Sequence, residues 1–346
     1  PFEFRLCPEE LVGTSLEGLL TGRDQTIIAG CDRFRHANDY SDERLQLFAS
    51  ANYFVGDHVL TFGMDYEQFD LFNLFVQSSN GRFIFNDVQE IINRTPSSVF
   101  YNNAITNNAN DAAAEWGYDN WAFFIADEWS VSSDLQISAG VRYERFSQSD
   151  KPVFSQEVFD TYGVRTDNNL DGRDLFMPRL GFLYTGFDRT TISGGVGLFA
   201  GGNPQVWISN AFQTPTSDVT IRNLTNADIN TVPQEALDAL AASPAGIPID
   251  YIADSFRIPS DWKASLRYER SFDMGALGDD YRFTAQYLYT RTNQAFNWTN
   301  LAQTDLPAAL PTGVAPDGRP IYADLQDLGE RNLTELGNLG EGSSHV

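Results

Sequence analysis

Residues 119–146 read DNWAFFIADEWSVSSDLQISAGVRYERF. In the second half, Leu135, Ile137, Ala139, Val141 and Tyr143 alternate with Gln136, Ser138, Gly140, Arg142 and Glu144. The first half does the same with Trp121, Phe123, Ile125 and Trp129, and Val131-Ser132-Ser133-Asp134 separates the two. Successive side chains on a strand point to opposite faces. The stretch therefore reads as a hairpin with one apolar and one polar face, Asp127 near the turn being the one charge on the apolar side. In a soluble sandwich the polar face meets water outside. In an outer-membrane barrel it meets the lumen, and the apolar face meets lipid.

The same cadence occurs in three further pairs. Leu45, Leu47, Ala49, Ala51 and Tyr53 oppose Gln46, Phe48, Ser50 and Asn52; after Gly56-Asp57, Leu60, Phe62, Met64 and Tyr66 oppose Thr61, Gly63, Asp65 and Glu67. Leu180, Phe182 and Tyr184 turn at Gly186–Arg189 and return as Ile192, Gly194, Val196 and Leu198. Trp262, Ala264, Leu266 and Tyr268 are followed by Tyr281, Phe283, Ala285, Tyr287 and Tyr289. Each strand is close to the roughly 9–11 residues that cross a bilayer at a tilt. The expected hairpins are 44–69, 119–146, 176–199 and 261–291.

Links within a pair are short, whereas those between pairs, 70–118, 147–175, 200–260 and 292–346, are long, as is the opening stretch 1–43. Short periplasmic turns alternating with long external loops characterise bacterial barrels, and soluble domains rarely carry several such loops. The expected fold is all-β: an antiparallel transmembrane β-barrel, present as about eight strands of a larger one, with long extracellular loops. Within them, Asp87 to Ile92 after Asn86 reads as a capped helical turn. Gln234–Leu240 after Pro233 reads as a short helix.

Composition agrees with this reading without proving it. The chain has 346 residues, 42% hydrophobic and 13% aromatic. Its mean hydropathy of -0.31 looks soluble, as a barrel does when lumen face and loops dilute the lipid face. No run approaches the roughly 18 apolar residues of a spanning helix. The net charge is -24, with Lys151 and Lys263 the only lysines, which excludes a nucleic-acid partner for want of a basic patch. Halophilic solubility and acidic surface loops both account for the imbalance. The chain opens on Pro1-Phe2-Glu3 without a leader pattern and ends on Ser343-Ser344-His345-Val346 without an aromatic-terminated strand. A fragment of a longer protein is the expectation.

No catalytic constellation emerges, and the expectation is no enzyme. The three histidines, His36, His58 and His345, lack metal-ligand neighbours at helical or turn spacing. Gly194-Gly195-Val196-Gly197 falls within a strand rather than a phosphate-binding loop. Asp167, Asn169, Asp171 and Gly172 match the first half of a calcium loop, but position twelve is Pro178, which excludes an EF-hand. A looser Ca2+ site and a plain Asx-rich turn both remain open. Cys7 and Cys31 fall in one external loop and are expected to form a disulfide in an oxidising compartment. Asp65, Glu67, Arg142, Glu144, Arg179, Lys263, Arg267, Glu269 and Arg282 are expected to face one lumen, where charges of both signs pair across the wall or hold a plug. Trp121, Trp129, Tyr143, Tyr184, Trp262, Tyr268, Tyr281 and Tyr289 suit interfacial girdles on the other face.

Several segments resemble a known family. Asp57-His58-Val59-Leu60-Thr61-Phe62-Gly63-Met64-Asp65-Tyr66-Glu67 with Asn73-Leu74-Phe75, and Gly81-Arg82-Phe83-Ile84-Phe85 before Pro96-Ser97-Ser98, resemble Oar-like TonB-dependent outer-membrane receptors. Asp127-Glu128-Trp129 with Gly140-Val141-Arg142-Tyr143-Glu144 is similar to a hairpin common in them, as is Pro178–Phe182 with Gly194–Phe199. Asp32–Asn38 and Asp317–Tyr322 fit their loops. The resemblance covers essentially the whole chain. It implies a 22-stranded barrel filled by an N-terminal plug and energised through TonB, neither the plug nor the TonB-binding segment being in this chain.

The function expected on that basis is the wall and ligand-capturing loops of a Gram-negative receptor that takes up a scarce solute or peptide. Its surroundings would be outer-membrane lipid and lipopolysaccharide, with loops extracellular. The alternative is a structural or adhesive barrel displaying acidic, calcium-binding loops. A soluble all-β carbohydrate-active enzyme would need a converging acid pair, which the sequence does not offer.

Overall fold

Residues directly opposite on antiparallel strands share a face, so in-phase alternation dictates which side chains meet once the strands pair. The computed structural model describes residues 3–6, 27–202, 205–243, 250–301, 313–321, 333–340 and 342–345. Eight long strands run as an antiparallel meander: β1 (Ala37–Val55), β2 (His58–Val76), β3 (Ala114–Ser130), β4 (Leu135–Ser147), β5 (Asp174–Phe187), β6 (Thr190–Ala200), β7 (Ser260–Phe272) and β8 (Tyr281–Asn300). The pairing keeps the two faces apart. One cross-strand row reads Ala139, Leu180, Val196, Ala264, Tyr289, all apolar or aromatic. A neighbouring row on the other face reads Gly140, Arg179, Gly197, Lys263, Thr290.

The apolar face is left bare. Leu47, Phe62, Phe123, Ile125, Leu180, Val196, Leu266 and Tyr287 are all exposed, a contiguous apolar surface that in a water-soluble monomer would be an aggregation liability. In a bilayer it is the lipid face. No helix among the described residues is long and apolar enough to cross a membrane.

The sheet does not close. Among the described residues β1 pairs only with β2. At the other end β8 meets Thr334–Leu339 and Ser343–His345 over its outer half alone, while Tyr281–Leu288 stay exposed. Open edges are not tolerated in lipid because each unpaired backbone group stays unsatisfied. The fold is therefore a partial barrel.

Strands overrun the expected hairpins at the outer end: β1 and β2 pair from Ala37↔Val76 to Val55↔His58 against the expected 44–69, β3 begins at Ala114 against 119, and β8 continues to Asn300 against 291. The alternation is lost beyond Phe69 because both faces of β2 become covered. Leu74 and Val76 pack with Ala104 and Ala112 on one side. Phe69 and Leu71 pack on the other with Ile208 and Phe212.

The loops fold together rather than separately. Strands 217–222, 98–103, 82–85, 3–6 and 27–30 form a five-stranded sheet drawn from three stretches of chain. Phe83, Phe85 and Val99 pack at its centre. Tyr101 is enclosed with Ala236 and Leu240 of α4 (Gln234–Ala241). The other helices are α1 (Val88–Asn93), α2 (Gln156–Tyr162) and α3 (Gln205–Phe212). The cap of α1 is Asp87, whose side chain accepts from Glu90 N, and the Glu90 carboxylate accepts from Asn86 N, one residue before the cap, at 2.7 Å. Neither α2 nor α3 is anticipated by the sequence reading.

Candidate functional site: the inner face of the wall

The polar face of the meander places the charged residues into separate groups. On β2 and β4, Arg142 Nη2 reaches Asp65 at 3.1 Å and its Nε meets Glu144 at 2.7 Å. The guanidinium spans β3 above Ala122, which lies between Asp65 and Glu144 in register and is buried. A larger residue there would block the crossing. Glu67 accepts from Tyr118 Oη and Gln46 Nε2, both at 2.8 Å, and pairs with Arg44 at 3.4 Å. On β7 and β8, Glu269 lies between Arg267 at 2.5 Å and Arg282 at 3.5 Å.

Arg179 and Lys263 differ from the rest of the set. No ion pair reaches either among the described residues; instead both lie against the Phe199 ring, at 4.4 and 5.8 Å from its centroid. Gly197 stands between them in register. A Cβ there would come within 2.9 Å of Arg179 Cγ, so glycine is what lets the arginine lie across the strand. A hollow of about 760 Å³ opens along this part of the wall.

Toward the outer end the inner face changes character. Phe69, Trp116, Tyr118 and Phe146 continue the phase of Asp65, Ala122 and Glu144 but are buried. They are covered by Ile208, Ala211 and Phe212 of α3 and by Ile252, Phe256 and Ile258. The Trp116 indole N–H donates to Ser209 Oγ at 2.9 Å, and Gln213 Nε2 donates to the Phe75 carbonyl at 2.9 Å. Loop 200–260 thus folds inward across the outer end of the wall. The signal for this seat was present in sequence as Phe69, Trp116 and Tyr118 on a face otherwise polar, but nothing local indicated what would cover them. Arg44 and Phe199 were likewise missed.

The remaining candidates lie apart. Asp167 is held by Arg165, at 2.9 and 2.5 Å. Asn169 donates to the Gln148 and Asp150 carbonyls and accepts from Asp171 N; Asp171 accepts from Gln148 N. With Gly172 at φ +73°, the segment is an Asx-type turn tying 148–150 to the start of β5. Among the described residues no three His, Cys, Asp or Glu side chains gather to hold a metal. Cys31 is half-buried without a disulfide partner among the described residues, and Cys7 lies outside them. Asp127 on the lipid face meets His58 Nδ1 at 2.7 Å, and that ring stacks on Trp129 at 5.4 Å. A hydrogen-bond partner for this acid lowers the penalty of placing it near lipid.

Two carboxylates outside the membrane span are perturbed in opposite directions. Burial pushes the Asp250 carboxyl up, against the opposing hydrogen bonds from Asn210 and Thr334. In the turn between β7 and β8, Asp273 is held below the ordinary aspartate value by Arg189, which reaches over from the β5–β6 turn, and by the Asp280 N–H.

Among solved structures, the chain is similar in fold to the outer membrane transporter YddB from Escherichia coli, with 13% identity and a TM-score of 0.46. That match covers 99% of this chain and 33% of that one. The ferric enterobactin receptor PfeA in complex with BCV-L6 gives 10% identity, TM-score 0.46, and 93% and 34% coverage. The copper transporter OprC gives 12%, 0.43, and 89% and 35%. The chain thus spans about a third of the length of these structures. No curated protein matches it in sequence. The outer membrane beta barrel domain family matches residues 21–339; the chain belongs to that family, and the protein resides in the outer membrane.

Proposed function

We propose that this chain forms wall and ligand-capturing loops of a TonB-dependent receptor that takes up a scarce solute. The observation that carries the reading is the inward seat of α3. A roofed outer end with ion-pair networks below it suits a barrel that opens for a captured ligand, whereas an open pore needs only a wet lumen. No covalent chemistry is required of the residues on either face. Energy would reach the barrel through TonB and a plug region of the same polypeptide. Loops 70–118, 147–175 and 200–260 would make first contact with the ligand. A disulfide between Cys7 and Cys31 belongs to this proposal, and peptide mapping without reductant would reveal it.

The test is growth of a deletion strain on candidate solutes as limiting nutrients, with and without TonB. A solute whose uptake needs both this protein and TonB supports the reading. Full growth on every solute without the protein overturns it.

A second reading, an adhesive barrel, draws on one observation. Asp42, Glu43, Asp70, Glu115 and Asp150 line a hollow of about 520 Å³ at the outer end. Divalent cations shared between single acids here and lipopolysaccharide phosphates, or a Ca2+ near Asp167, Asn169 and Asp171, would make the bridge. Adhesion lost on chelation, alongside unchanged uptake, would favour it.

A further inference from the structure

On the inner face every other charged group of the predicted set has an ion-pair partner, yet Arg179 and Lys263 form none among the described residues of a chain of net charge -24. They lie two strands apart, about 9–10 Å at the backbone. Like charges at that separation repel, and among the described residues the face of Phe199 offsets this through cation–π attraction. Asp261, opposite Phe199 on the same face, forms no ion pair with either. The supply of carboxylates is large, so leaving two cations unpaired side by side calls for a reason.

The adjoining row supplies one. Next to Gly140, Arg179, Gly197 and Lys263 runs Ser138, Gly181, Gly195 and Ser265, all small. That row leaves open space beside the two cationic heads, and the same hollow of about 760 Å³ includes both cations and Phe199, with Arg142, already paired to Asp65 and Glu144, and Glu128, hydrogen-bonded to Gln136 at 3.4 Å, farther along its lining. An ammonium and a guanidinium flanking one space form a receptor for an anionic oxygen group. The fork of the guanidinium suits a carboxylate or phosphate in particular.

We propose that Arg179 and Lys263, backed by Phe199 and spaced by Gly197, form an anion site on the lumen wall that takes a carboxylate- or phosphate-type group. The site deepens the uptake reading and rests on it only in placing this face within a lumen. The anion comes either from a diffusing solute or from a carboxylate of the same polypeptide, and one set of variants separates these sources.

The experiment uses the full-length receptor purified from outer membranes, with inorganic phosphate as the probe in calorimetric titration and with thermal melting alongside. The variants are R179Q/K263Q, the milder G197A, which keeps both charges but displaces Arg179, and R267Q as a control at a paired cation. If a diffusing anion occupies the site, the wild type binds phosphate and the double variant binds it roughly 100-fold more weakly, about tenfold for each charge-assisted bond. G197A weakens binding by an intermediate factor, and R267Q leaves it unchanged. If a carboxylate of the polypeptide occupies it, the wild type ignores phosphate and the double variant melts roughly 4 °C lower or more, whereas R267Q shifts less. Phosphate binding equal in all four proteins, or neither binding nor a melting shift, overturns the site. Binding without solute uptake would retain the site and discard the transport reading; uptake with no anion site would do the reverse.

Discussion

The membrane span of the wall and its outer end are built from the same strands yet held by different forces. Around Ile125 and Leu180 one face is bare and apolar, and the partner it needs is lipid. Around Phe69 and Trp116 the inner face is apolar too, but the partner is protein, supplied by α3 and by residues 252–258. A strand is thus indifferent to what covers it. What changes along β2 and β3 is the number of faces that must be covered: one in the bilayer, two beyond it. That shift explains why clean alternation stops near Phe69 while the ladder continues to Val76.

The contrast breaks most sharply at the roof. Trp116→Ala removes a buried aromatic and its hydrogen bond to Ser209, a loss of about 3–5 kcal/mol for a fully packed ring. The expected result is faster amide hydrogen exchange across 205–212 and 252–258 with the barrel's own melting little changed. Equal loss of protection in β5 to β7 would show that roof and wall are one cooperative unit.

Next in size is a charge on the lipid face. Ile125→Arg should destabilise the inserted barrel by about 2–4 kcal/mol, whereas Ser50→Arg on the inner face should stay within about 0.5 kcal/mol. Folding titrations of the full-length protein into vesicles read both. Similar values for the two would mean that the faces are misassigned.

A smaller effect is expected within the wall. Arg142→Met leaves Asp65 and Glu144 facing each other without their shared cation, at a cost of about 1–2 kcal/mol given their partial exposure. Adding Asp65→Asn and Glu144→Gln should recover much of that loss in the same folding titration. No recovery would show that packing over Ala122, not charge, is what matters.

The smallest effects separate the two ends by pH. Asp250 has its carboxyl raised in the folded state, so its contribution is full below the ordinary aspartate value of 3.8 and is lost as pH rises through the raised value. Exchange protection of strand 250–252 should therefore decline from acid toward neutral pH, and Asp250→Asn should abolish the trend. Asp273 is lowered, so its contribution is present above 3.8 and disappears as pH falls through the lowered value. Acid should loosen the 273–280 turn while tightening the outer end. The same sign at both would contradict the assigned environments.

Much of the wall was legible because period-two alternation is a local property. Leu135 to Glu144 declare their two faces with no knowledge of neighbours, and Gly56-Asp57 or Val131–Asp134 declare the turns. The α1 cap at Asp87 and α4 after Pro233 were readable for the same reason, since caps act within one turn. The extra turn of strand at 70–76, the helices α2 and α3, and the five-stranded sheet of the loops were not. Residues in and against them meet partners far off in the chain, as Trp116 meets Phe212 and Asn107 donates to the Leu237 carbonyl.

The candidate site divides in the same manner. That Arg142, Arg179 and Lys263 share one face follows from parity alone. That Arg142 is neutralised while Arg179 and Lys263 are not depends on strand order and register, which set Asp65 within reach of one and Gly197 between the others. By itself, then, the sequence determined the meander, its two faces and its bilayer partner, because side-chain direction on a strand is decided residue by residue. Tertiary structure alone decided which loop roofs the wall and which cations remain unpaired, because both are outcomes of contacts between segments that no local pattern encodes.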